Sequence, residues 1–111
     1  MEKRVFEPGN KFRFTECTDY STDGIVSKRI LDRPVGTITL FAFDKGEGLS
    51  THTAAGDAFV QVLDGEASID IGGKHILVKA GEVVVMPANV PHSLNAGERF
   101  KMLLIVVKGT D

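Results

Sequence analysis

The sequence predicts an all-β, antiparallel fold that closes, or nearly closes, into a barrel. Three observations carry this. Apolar and polar residues alternate at period two over much of the chain, glycine- and proline-marked turns recur about every 8–12 residues, and no segment carries the 3.6-residue repeat of a helix of ordinary length. With 111 residues, 42% hydrophobic and 25% charged, the chain has the size and composition of one soluble globular domain. We divide it into an irregular N-terminal arm, residues 1–24, and a single barrel, residues 25–111.

Within the arm, Pro8-Gly9-Asn10 and Ser21-Thr22-Asp23-Gly24 read as turns, and Lys3-Arg4 as solvated charge. Phe12 and Phe14 alternate with Lys11, Arg13 and Thr15, which predicts a short strand. Ile25 to Leu31 is the next strand, followed by a turn at Asp32-Arg33-Pro34 and a longer strand from Val35 to Phe43. On that strand Ile38, Leu40 and Ala42 share one face and Phe41 and Phe43 the other. Leu49 to Thr53 carries His52 after a glycine-rich loop. Phe59 to Leu63 is a strand, Asp64-Gly65 a tight connection, and Glu66 to Ile71 a strand with one wet face.

Gly72-Gly73 suits a two-residue hairpin, because both positions of a primed turn need positive φ. Counting back from it sets Ile76 opposite Ile69, Val78 opposite Ala67, and His75 opposite Asp70 on the wet face. His75 is therefore expected to be a surface partner rather than a ligand. Val83 to Met86 and Phe100 to Val107 are the last long strands, the first ended by Pro87. Between them Asn89 suits a left-handed turn position, and Pro91 leads into His92. Val83–Met86 and Met102–Val107 are apolar at every position, so both faces of each need cover. In so small a domain a second subunit is the expected cover, hence a homodimer.

A net charge of −2 and a pI near 5.9 offer no basic excess for nucleic acid. No apolar run approaches the ~20 residues of a spanning helix, and Met1-Glu2-Lys3-Arg4 opens no signal-type apolar region. A single cysteine, Cys17, excludes an internal disulfide and fits a reducing compartment, so a cytoplasmic protein without membrane contact is expected. Nothing in the sequence assigns a role to Cys17 or to Tyr20, the only tyrosine.

The spacing of glycines, prolines and histidines between Gly46 and Asn95 resembles the two motifs of the cupin family. Gly46, His52 and Gly65 stand where the first motif has glycine, histidine and glycine, while Ala54 replaces its second histidine and Ala58 its glutamate. Gly81, Pro87 and His92 match the second motif, Asn89 replaces its glycine, and Asn95 falls one place before its asparagine. The resemblance covers roughly Val35 to Val107. It implies a double-stranded β-helix of jelly-roll type with a lumenal site in which family members hold a transition metal.

Only His52 and His92 carry over as metal ligands, because alanine has no donor atom. The resemblance then implies at most a weakly held divalent ion such as Zn, Fe, Ni or Mn. Asp57 is the candidate third donor, completing two histidines and a carboxylate, and Gln61 the second candidate, although alternation turns it from the face of Ala58. Two functions compete. One is a small-molecule-binding module with His52 and His92 as polar anchors in a lumen lined by Ile38, Leu40, Val60, Val62 and Val85. The other is a metal-dependent oxygenase or isomerase acting on a small carbonyl, phenolic or sugar-like compound, or a metal-free variant with an imidazole as general base.

Overall fold

The structure, a computed structural model, describes residues 7–108; Lys3-Arg4 lies outside them. Eight antiparallel strands form a curled sheet: β1 (Ile25–Arg33), β2 (Gly36–Phe43), β3 (Gly48–His52), β4 (Asp57–Ile71), β5 (Lys74–Lys79), β6 (Val83–Met86), β7 (His92–Asn95) and β8 (Phe100–Val107). The strand order is β1-β2-β8-β4-β7-β3, with β5 and β6 also paired to β4. This is the architecture of a double-stranded β-helix.

The long strand β4 organises the rest. The sequence suggests two strands with a connection at Asp64-Gly65; instead one 15-residue strand bends there. Its pairing with β8 shifts between Val62 and Asp64, and Gly65 takes φ +77° with the Arg99 carbonyl filling the place of a Cβ. Only glycine fits so close an approach at positive φ. The first half of β4 pairs with β6 and β8, the second half with β5 and β7. The strand thus leaves one end of the barrel, bends, and returns to it.

The Gly72-Gly73 turn, at φ +57° and +87°, pairs Ile69 with Ile76, Ala67 with Val78 and Asp70 with His75, as the sequence predicts. The turn after β1 is Pro34-Val35, one step later than expected, because Arg33 pairs with Gly36.

Registers decide which face is inside. Val60, Val62, Phe43, Phe100, Met86 and Met102 are buried together in the main core, where the Phe43 and Phe100 rings stack at 4.6 Å. Ile38, Leu40 and Val85 are not lumenal, which corrects the expectation from sequence. Direct pairings run Leu31, Ile38, Ile105, Phe59, Val85 across five strands of the outer face. Both faces of β2 are apolar, so alternation alone could not say which one faced inward; Phe41 and Phe43 occupy the inner one.

The second cover of β8 comes from the chain itself. Leu40 and Leu103 are buried beneath Phe14 and Cys17 of the arm. The strand expected around Phe12–Phe14 is instead a 3-10 turn, Phe14–Glu16, that drops Phe14 onto this patch. On β6, Val83 and Val85 are exposed.

Polar bonds fasten the arm. Lys28 Nζ donates to the Cys17 carbonyl at 2.6 Å, Lys101 Nζ to that of Thr15 at 2.8 Å, and the Tyr20 hydroxyl to Asp64 Oδ2 at 2.5 Å. Arg99 and Lys101 lie over the Tyr20 ring. Burial, then the Asp64 carboxylate, push the phenol above the usual tyrosine range. The backbone N–H of Asp23 and the Arg99 guanidinium hold the Asp44 carboxyl below its ordinary value.

Candidate functional site

Two short strands bring the histidines together. β3 ends on His52, β7 begins on His92, and the two residues are direct partners in the antiparallel pair. Their ring centroids lie 4.4 Å apart, edge to face. His92 is also opposite Ile71, at the returning end of β4, and is 4% exposed. His52 is exposed. The pair therefore sits at the barrel mouth, one imidazole in the wall and one at the rim.

The hydrogen bonds assign the same tautomer to both rings. His52 Nδ1 lies 2.7 Å from the Ser50 carbonyl and His92 Nδ1 lies 3.1 Å from that of Val90. A carbonyl can only accept, so each Nδ1 carries the proton and donates. In the neutral form of each ring the lone pair is then on Nε2, the atom that can bind a metal, accept a hydrogen bond or take a proton. These carbonyl partners, each two residues before its histidine, had no signal in the sequence because the backbone carries no side-chain pattern.

The other two candidates lie elsewhere. Asp57 Oδ1 accepts a hydrogen bond from the Ala88 N–H at 2.8 Å. Gln61 is opposite Leu103 and Val83 on the outer face, between the inward Val60 and Val62. This is where alternation put it, away from the pair. Ala58 is buried in the core and Ala54 is half-buried beside the mouth, its carbonyl accepting from the Asn89 N–H at 2.8 Å. Among the described residues no three His, Cys, Asp or Glu side chains come together as a metal-binding group. The donors present are two imidazoles, and these do not fit the resident metal centre of the family, which needs at least three protein ligands.

Behind His92, on the outside of the wall, lies a recess of about 330 Å³ lined by Thr51, Asp70, Gly73, Pro91, His92 and Ser93. Asp70 and Ser93 are direct partners facing outward. His75 stands across from Asp70, its Nδ1 3.8 Å from the carboxylate and its Nε2 3.2 Å from Ser68 Oγ, with both side chains about half exposed. It is a solvated cross-strand contact, remote from the lumen.

Comparison with known proteins agrees with this architecture. A conserved protein of unknown function from Streptococcus pyogenes is 36% identical with a TM-score of 0.91, over 96% of this chain and 94% of that one. A cupin 2 conserved barrel domain protein from Leptotrichia buccalis is 48% identical with a TM-score of 0.86, over 87% of this chain; the match spans 47% of that protein's length. At 21% identity a salicylate 1,2-dioxygenase from Pseudaminobacter salicylatoxidans shares the fold alone, with a TM-score of 0.70 over 76% of this chain and 26% of that one. No curated protein matches. Residues 39–108, more than half of the chain, match the family described as Cupin domain. Barrel topology, paired histidines at the mouth and this match together place the chain in the cupin family.

Proposed function

We propose that this cupin is a small-molecule-binding module whose site is the barrel mouth, anchored by His52 and His92. The observation that carries the reading is the pair itself: two imidazoles with ring centroids 4.4 Å apart, each with Nδ1 committed to a backbone carbonyl. In its neutral form such a pair presents two Nε2 acceptors. It suits a compact ligand with O–H or N–H donors, or an enol or phenol that can give up a proton. The stacked Phe43 and Phe100 rings are buried in the main core, and the reading puts the ligand at the rim, beside exposed His52.

A transition metal held by two imidazoles alone would be exchangeable, with small molecules filling its other positions. The second reading, an oxygenase or isomerase of metal-dependent type, is supported by the fold shared with a dioxygenase and lacks the donors to hold the metal. Elemental analysis of protein purified without a metal-chelating tag, followed by Zn²⁺ titration, tests both. Stoichiometric retained metal favours the enzyme reading. Metal-free protein that binds a phenolic or enolic probe through His52 and His92 favours the module; loss of neither histidine affecting any probe overturns the site.

We further propose that the chain acts in the cytoplasm as a homodimer. The apolar outer row ending at Val85, together with exposed Val83, supports the dimer, since the described residues of the arm pack on Leu40 and Leu103. Sedimentation at micromolar concentration as a monomer would overturn the dimer.

A further inference from the structure

We infer that Asp57 is a positioning residue for His92, acting through the turn between Pro87 and Pro91, and not a ligand to what the pair binds. The inference rests on the reading of His52 and His92 as the site. The turn has three backbone N–H groups, those of Ala88, Asn89 and Val90, because proline has none. Its internal bond, Val90 N–H to the Pro87 carbonyl, is long at 3.4 Å, and Asn89 sits at φ +65°, a left-handed conformation that costs free energy outside glycine. Asparagine tolerates that conformation, but one long internal bond leaves the turn only loosely fixed from within.

The Gly72 N–H fastens its far end by donating to the Pro91 carbonyl at 2.8 Å, and the segment that follows His52 holds its middle. Asp57 Oδ1 takes the Ala88 N–H and the Ala54 carbonyl takes the Asn89 N–H, both at 2.8 Å. The first of these is charge-assisted. The turn so fixed supplies the Val90 carbonyl, which accepts from His92 Nδ1 and keeps the lone pair on Nε2. One short stretch, residues 52–57, therefore carries one imidazole and orients the other. The same carboxylate that sequence reading offers as a third donor is engaged in this role.

The test is ¹⁵N NMR of the histidine rings in the full chain, with amide exchange measured at Ala88 and Asn89. In the wild type both rings read as the Nδ1–H tautomer and the Ala88 amide exchanges slowly; fast exchange there would by itself overturn the inference. Asp57→Ala is expected to turn His92 into a mixture of tautomers and to raise exchange at Ala88 at least about tenfold, leaving His52 unchanged. Asp57→Asn, which keeps an oxygen acceptor, restores both. An unchanged His92 in Asp57→Ala, an equal change at His52, or no rescue by asparagine overturns it. If Asp57→Ala does not fold, Asp57→Glu moves the carboxylate by one methylene and must loosen His92 alone. No added ligand enters these readouts, so a failed Zn²⁺ or phenol titration counts against the binding reading and leaves this measurement standing.

Discussion

Two histidine contacts in this barrel obey the same cross-strand rule and differ in everything else. His92 faces His52 across β3 and β7, and His75 faces Asp70 across β4 and β5. In the first, one ring is 4% exposed and both Nδ1 atoms are anchored to carbonyls within two residues. In the second, ring and carboxylate are about half exposed and 3.8 Å apart. Pairing brings side chains together in both; burial and backbone anchoring are what set the first contact apart. A solvated pair such as His75–Asp70 gains little net free energy, because water and salt screen it and both side chains lose freedom.

Four substitutions sharpen or break this contrast. The largest effect is expected from His92→Ala, which empties a buried position and leaves the Val90 carbonyl without its donor. It should lower stability by about 2 kcal/mol and abolish binding at the mouth, read by urea denaturation and probe titration. His52→Ala should also remove binding, by more than about tenfold, yet change stability by less than about 0.5 kcal/mol because the ring is at the surface. A stability loss equal to that of His92→Ala would show that the rim is as packed as the wall.

Tyr20→Phe tests a third polar contact, on the arm. Losing the hydroxyl that donates to Asp64 should cost about 1 kcal/mol at neutral pH. The folded-state pKa of Tyr20 is raised, so its contribution is fully present below the unfolded tyrosine value and is lost as pH rises above it. Wild-type stability should therefore fall more steeply than that of Tyr20→Phe in alkaline denaturation series. The smallest effect belongs to His75→Ala, within about 0.5 kcal/mol in stability and with binding unchanged. Binding lost with His75 would move the site to the outer recess beside Asp70.

Much of this was legible in the residues, and the parts that were not share a cause. The hairpin at Gly72-Gly73 is local: two positive-φ residues leave one register, and the pairs from Ile69–Ile76 to Asp70–His75 follow from it. Asn89 in a left-handed turn is local as well. The Asp64-Gly65 bend was misread as a connection because glycine marks a bulge and a turn alike, and only the close approach of the Arg99 carbonyl distinguishes them. The Phe12–Phe14 alternation was too short to define a strand against the alternative of burying Phe14 on Leu40 and Leu103.

The sequence by itself determined the β architecture, the Gly72-Gly73 hairpin register and the identity of the two histidines, because period-two patterning and turn chemistry act over a few residues. Tertiary structure alone decided which face of β2 lines the lumen, since both are apolar and only long-range pairing with β8 selects one. It also decided that Asp57 meets the Ala88 N–H, 31 residues away, and that His52 meets His92 across forty. No local propensity encodes such distances. They follow from β4 bending at Gly65, so that its first half pairs with β8 and its second half with β7, which brings the end of β3 beside the start of β7.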